Sequence, residues 1–254
     1  MGAPFLSAYS TYIVQRCHRR GAHALGGMAA DIPAREDPKA NEVAFARVRA
    51  DKEREVANGH DGTWVAHPGL VPLAREVFDA GCPGPNQLDR LREEVRITPE
   101  MLLEVPRGPV TADGLRTDVR VAYRYLEAWL RGTGCVPIDH RMEDTATVEI
   151  ARAQIWQWIR HATVLSDGRR VTPELFRRLL RDEADQLLEE RLARRAWTDP
   201  KHRAELLLDR IVTSPEFAPF LTTLALPELE AVTKEAGATP AVRSTGPGRP
   251  IPAE

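Results

Sequence analysis

The first eighty residues constrain the fold more than any other part of the chain. From Pro4 to Arg20 the spacing predicts a helix with Leu6, Tyr9, Ile13 and Cys17 on one side, closed by Gly21. Ala22 to Met28 is a short apolar run that reads as a buried strand, with Gly26 and Gly27 allowing close backbone approach. Ala30-Asp31-Ile32-Pro33 continues as a loop, and Pro38 to Asn58 as a second helix. Its charge run, Arg47 to Glu55, is expected to be a solvated face. Gly59-His60-Asp61-Gly62 turns the chain into a second strand, Thr63 to Pro68, and Leu70 to Ala80 is a third helix. Alternating short strands and helices imply parallel βα units. Two parallel strands do not make a self-standing sheet, because such sheets need more neighbours and both faces covered. The front of the chain therefore reads as the end of an α/β domain whose beginning lies elsewhere.

Cys82-Pro83-Gly84-Pro85-Asn86 breaks this pattern, and no strand is expected after it. Helices are expected from Thr98-Pro99-Glu100, over Thr111 to Leu130 (Leu115, Val119, Ala122, Leu126 and Trp129 inward), from Thr172 to about Arg195, at Pro200 to Thr213 and at Pro215 to Leu221. From Gly237 onward Gly, Pro, Ala, Ser and Thr predominate, which predicts a disordered tail. The expected organisation is 1–82 α/β, 83–97 linker, 98–235 helical and 236–254 tail.

The chain has 254 residues and a formal net charge of -2, so it carries no electrostatic footprint for nucleic acid or a membrane surface. No apolar run is long enough to span a bilayer, and the N-terminal stretch lacks the features of a secretory signal, so a cytoplasmic protein is expected. Cys17, Cys82 and Cys135 are widely spaced and odd in number, which suits reduced thiols. Cys17, His18 and His23 could begin a metal site, but no second ligand pair follows at zinc spacing.

The second informative stretch runs from Cys135 to Asp144 and into a helix reaching His161. Val148, Ala151, Ile155, Trp158 with Ile159, then Ala162 form one apolar stripe. Asp144, four residues before Val148, stands at the top of that stripe at the helix N-terminus, where backbone N–H groups favour an anion. Two readings fit it: an ordinary N-cap ahead of Thr-Ala-Thr, or a functional carboxylate.

Longer motifs bear on that choice. Cys17-His18-Arg19-Arg20-Gly21-Ala22-His23-Ala24-Leu25-Gly26-Gly27-Met28, Asp51-Lys52-Glu53 and Asn58-Gly59-His60-Asp61-Gly62-Thr63-Trp64-Val65-Ala66-His67-Pro68 resemble late-barrel segments of malate synthase, A type. Tyr125-Leu126-Glu127-Ala128-Trp129-Leu130, Gly134-Cys135-Val136-Pro137-Ile138, Met142-Glu143-Asp144 and Trp156-Gln157-Trp158-Ile159 resemble its C-terminal domain. The match runs in order from about Pro4 to Leu221. It implies the last βα units of a TIM barrel followed by a helical C-terminal domain. The implied reaction is a Claisen-type condensation of acetyl-CoA with glyoxylate and water, giving malate and CoA, with Mg²⁺ as cofactor. Asp144 corresponds to the family's catalytic base, and Pro33 to a contact with the acetyl-CoA arm, with a plain turn proline as the alternative.

The resemblance implies an arginine and metal ligands on earlier strands, which nothing in this chain matches. Glu143, Asp31 and Asp61 are not assigned to the metal, and Cys135 reads as a packing thiol near the barrel mouth. An N-terminal half supplied separately, or by an upstream part of the same gene, is the partner expected. Ala193 to Pro200 departs from the family pattern, as does the tail. A non-catalytic helical interaction protein descended from the enzyme stays open as the alternative, as does an unrelated acid/base enzyme using Glu143 with Asp144.

Overall fold

The computed structural model describes residues 2–34, 37–193 and 200–235, with side chains left aside at 191–193, 200–202 and 235. The expected disordered tail and most of the departing Ala193–Pro200 stretch lie outside the described residues. The chain divides into two compact units, one of residues 1–110 with 135–144, the other of 111–134 with 145–254. Among the described residues no helix is long and apolar enough to cross a membrane.

The first unit carries α1 (Pro4–His18), β1 (Leu25–Ala29), α2 (Pro38–Asn58), β2 (Gly62–Val65), a 3-10 turn (Pro68–Leu70), α3 (Val71–Gly81), α4 (Pro99–Leu102) and a hairpin of β3 (Val136–Ile138) and β4 (Arg141–Glu143). β1 and β2 pair in parallel, as the alternation implied, in a two-stranded sheet rather than a closed barrel. Ala29, Val48 and Leu70 are buried between strand and helices, with Val65 and Leu73 packed against them. The strands are not wholly buried as expected: Leu25 is 61% and Trp64 56% exposed, because each strand has a single strand neighbour.

The register between β1 and β2 slips between Leu25 and Met28, where β1 spends one residue more than its partner. Such a bulge turns a carbonyl out of the ladder, and glycines permit it. Here the Gly27 carbonyl accepts from Lys52 Nζ at 2.7 Å and from Thr63 Oγ1 at 3.2 Å. Lys52 also meets Glu55 Oε1 at 3.0 Å, and both residues are buried. This corrects the reading of residues 47–55 as a solvated face: Arg47, Glu53 and Arg54 are exposed and Arg49 and Asp51 half-buried, but Lys52 and Glu55 point into a slot that Gly26 leaves open. A Cβ on Gly26 would lie 2.1 Å from Glu55 Cδ. Burial pushes the Glu55 carboxyl up, against the opposing pull of Lys52.

The buried face of α1 also differs from expectation. Ala8, Thr11, Val14, Gln15 and His18 face inward, while Tyr9 is exposed. The reason is polar complementarity. Gln15 Nε2 donates to the carbonyls of Arg92 and Val95 at 2.8 and 2.9 Å, and Ser10 Oγ meets His60 Nε2 at 2.9 Å. The stretch expected as a linker, 83–97, lies against this unit through such bonds, including Gln87 Nε2 to the His60 carbonyl at 2.8 Å.

The second unit is helical: α5 (Ala112–Leu130), α6 (Thr145–Arg160), α7 (Pro173–Ala193), α8 (Pro200–Thr213) and α9 (Leu221–Glu235). Thr111 caps α5 by accepting from the Gly114 amide at 3.0 Å, and Thr172 caps α7 through Leu175 at 3.2 Å. Leu115, Val119, Ala122 and Leu126 of α5 are buried as expected, with Trp129 half-buried. They pack with Val148, Ala151 and Ile155 of α6 and with the inner faces of α7 and α8. Ala162 leaves the predicted stripe, since α6 ends at Arg160 and Ala162 turns out at φ 45°. The expected helix at 215–221 is also displaced. Arg152, buried on α6, donates to the carbonyls of Ala218 and Pro219 at 2.8 and 3.3 Å and lies 4.2 Å over the Phe217 ring. Those carbonyls are thereby taken by a side chain, and the helix begins at Leu221, whose amide donates to Glu149 Oε1 at 2.7 Å.

Candidate active site

Parallel strands present their C-terminal ends, with the loops that follow, on one side of a sheet, and parallel α/β folds place their sites there. In the first unit three segments meet at that end: the loop after β1, the loop after β2 and the hairpin.

The loop after β1 is held from α2. Asn41 Oδ1 accepts from the Ala34 amide at 2.7 Å, and Asn41 Nδ2 donates to the Ala34 carbonyl at 2.6 Å. Asp37 caps α2 through the Ala40 amide at 3.0 Å. Asp31, buried, forms an ion pair with Arg47. After β2, the Ala66 amide donates to the Ala29 carbonyl at 2.9 Å, and His67 Nδ1 accepts from the Gly69 amide at 3.0 Å. Half-buried Pro33 lies beside this second loop: a Cβ on Gly69 would stand 3.6 Å from Pro33 Cγ.

The hairpin comes from far along the chain, yet it belongs to this unit. β3 and β4 pair antiparallel, Val136 with Glu143 and Ile138 with Arg141, around a two-residue turn. Asp139 and His140 both take left-handed φ, 47° and 60°, as the tight hairpin turn requires. Cys135, at the hairpin's start, is exposed, while Ile138 and Glu143 are buried. Asp144, half-buried, is the single residue between the end of β4 and Thr145, where α6 begins.

The sequence points to Asp144 and Pro33 as single candidates and gives nothing of what surrounds them. No strand was expected in 136–143, because three-residue strands joined by Asp-His carry no glycine or asparagine turn signal. The alternation of Val136 and Ile138 ahead of the Asp139-His140 turn is the available clue. The Asp31–Arg47 pair gave no local signal at all.

Two other acids weighed in the sequence are engaged elsewhere in the unit. Asp61 lies toward the opposite, N-terminal end of the strands and accepts from the Ala24 amide at 2.7 Å, the Gln87 amide at 2.6 Å and His18 Nε2 at 2.9 Å. Burial by itself would push its carboxyl up, but these three donors outweigh it and hold it below the usual carboxylate range. His18, buried, also meets the Arg90 carbonyl through Nδ1 at 2.9 Å. Among the described residues no group of three or more His, Cys, Asp or Glu side chains could hold a metal ion.

Two family models match the chain almost end to end: malate synthase, TIM barrel domain, over residues 1–105, and malate synthase, C-terminal, over residues 109–229. The chain belongs to the malate synthase family. The malate synthase of Streptomyces clavuligerus is 53% identical over 240 residues, 92% of this chain, and that of Myxococcus xanthus (strain DK1622) is 52% identical over 231 residues, 91% of this chain. Malate synthase A of Escherichia coli (strain K12) is 47% identical over 228 residues, covering 87% of this chain. The chain spans 43% of the length of the first two relatives and 42% of the third. Its fold class follows: the malate synthase barrel domain, followed by the family's C-terminal domain.

Proposed function

We propose that this chain supplies the last βα units of a TIM barrel and the helical C-terminal domain of a malate synthase, with Asp144 as the general base. The observation that carries the reading is the placement of Asp144 immediately after a hairpin docked at the C-terminal end of the parallel strands. The thioester methyl of acetyl-CoA is a weak carbon acid. The Asp144 carboxylate takes its proton, and the resulting enolate carbon forms a bond to the aldehyde carbon of glyoxylate, whose C=O electron pair moves onto oxygen as an alkoxide that then takes up a proton. Water then cleaves the thioester of the adduct, releasing malate and CoA. A carboxylate serves such a step when the enolate oxygen is stabilised by positive charge. Pro33, in the loop against Gly69, contacts the acetyl-CoA arm.

Magnesium belongs to this reading through the family, but the described residues do not make its site: Asp31 is committed to Arg47, and Asp61 to three donors. Its ligands, and the arginine that stabilises the enolate, are proposed to come from a part of the enzyme this chain does not match. The reading places the protein in the glyoxylate cycle, in the cytoplasm.

The test is reconstitution. The chain is co-expressed with the N-terminal portion of the Streptomyces clavuligerus malate synthase, and CoA release from acetyl-CoA is followed with glyoxylate and Mg²⁺ present. Glyoxylate-dependent release is expected, and Asp144→Asn should lower it by about 10²–10⁴, the usual worth of a positioned general base. Parental rates in that variant would refute the assignment.

A further inference from the structure

Asp144 follows the hairpin directly, so whatever fixes the hairpin fixes the carboxylate. Two main-chain bonds do so. The Ile32 amide donates to the His140 carbonyl at 2.8 Å, and the Met142 amide donates to the Ala30 carbonyl at 2.8 Å. Between them Asp31 bridges Arg141 in antiparallel pairing. β4 thus lies along the Ala30–Ile32 segment that continues β1, joined to it by this one antiparallel bridge, with β3 on its other side. Pro137, which has no N–H to give, sits on that outer strand. From Met142, bonded to the strand extension, only Glu143 separates Asp144.

Resting on the reading of Asp144 as the base, we propose that the left-handed Asp139–His140 turn and the Ala30–Ile32 strand extension are positioning elements, setting the carboxylate from the barrel unit by main-chain register. Register is a discrete quantity. A strand slipped by one residue would turn the whole of β4 over and carry Asp144 with it. The turn prevents the slip. Asp139 and His140 hold left-handed φ with side chains that tolerate it better than most, and they close the loop at two residues, which fixes Ile138 opposite Arg141. On the strand side, the Asp31–Arg47 ion pair ties the bridging residue to α2. His140 therefore acts through its backbone, and its imidazole is dispensable.

The test compares two substitutions at one position. Proline does not reach the φ of 60° that His140 adopts, whereas glycine does so without strain. In the chain alone, amide exchange should show Ile32 and Met142 protected. His140→Pro should remove that protection while residues 25–29 keep theirs, and His140→Gly should leave it in place. In the reconstituted enzyme His140→Pro should lower kcat about a hundredfold, the usual effect of displacing a reacting group by about 1 Å. The KM for acetyl-CoA should change far less than kcat, since Asn41 still holds the Pro33 loop through both bonds to Ala34. The isotope effect on kcat with trideuterated acetyl-CoA should rise, because proton removal becomes the slow step, and His140→Gly should hold kcat within about threefold. If His140→Pro strips protection from 25–29 as well, Ile32→Pro, which deletes one of the two donors directly, should give the same fall in kcat and the same rise in isotope effect. Parental kcat and isotope effect in the proline variants would overturn the proposal, as would fast exchange at Ile32 and Met142 in the unaltered chain. An inactive unaltered enzyme, or full activity in Asp144→Asn, would instead count against the base, and this inference would fall with it.

Discussion

Gly26→Ala perturbs the polar slot behind β1, and its cost follows from geometry. The added Cβ would meet Glu55 Cδ and Oε2, each at 2.1 Å, and Oε1 at 2.6 Å. An exposed carboxylate would swing aside at little cost, but Glu55 is buried and paired with Lys52, itself wholly buried. Displacing it leaves the ammonium with the Gly27 carbonyl and with Asp51 at 3.6 Å. Breaking a buried ion pair from one side costs about 3–5 kcal/mol. With Asp51 as a remaining partner, about 2–4 kcal/mol is the reasonable range. Glu55→Ala removes the obstacle, so in that background Gly26→Ala should cost less than about 0.5 kcal/mol, because alanine is the stiffer residue in the unfolded chain. The measurement is urea denaturation of the four chains of this cycle, with amide exchange over 25–29 and 62–65 to assign the transition to the first unit. An equal cost of Gly26→Ala in both backgrounds would refute the slot, and a negligible cost in the parental chain would show that Glu55 is not held.

Further outcomes are expected in the second unit and in the whole chain. Burial pushes the Asp118 carboxyl from its ordinary 3.8 up to about 7, and among the described residues its Oδ2 has no hydrogen-bond partner. The folded chain then binds more protons than the unfolded one between about pH 4 and 7, so stability should fall as pH rises through that window. Asp118→Asn should flatten this dependence and stabilise the chain by about 2–4 kcal/mol at pH 8, checked by denaturation across pH. Arg152→Ala removes two carbonyl partners and the Phe217 stacking, and should destabilise the second unit by about 3 kcal/mol or more in urea, whereas a loss under about 1 kcal/mol would deny the clamp. The chain without the complementing N-terminal portion should release no detectable CoA from acetyl-CoA and glyoxylate with Mg²⁺, and turnover by it would contradict the proposed division of catalytic groups.

What was legible in the amino-acid order was what neighbouring residues decide among themselves. Thr111 and Thr172 announce helices whose amides they accept, and Gly59, at φ 104°, ends α2. The apolar periods of α5 and α6 name the faces they bury, and the alternation of short strands with helices gives the parallel β1–β2 pair. The motif around Met142-Glu143-Asp144 singles out a carboxylate without showing what holds it. Tertiary structure decided the matters that depend on a partner distant in sequence. Lys52 and Glu55 look like any other charges on a helix until Gly26 and the bulged Gly27 carbonyl stand opposite them. Residues 214–220 look fit to start a helix until Arg152 takes the carbonyls of Ala218 and Pro219. The hairpin is invisible as a pair of strands because three residues carry almost no β signal of their own. It exists because Ala30 and Ile32, more than a hundred residues earlier, offer it an edge to pair with.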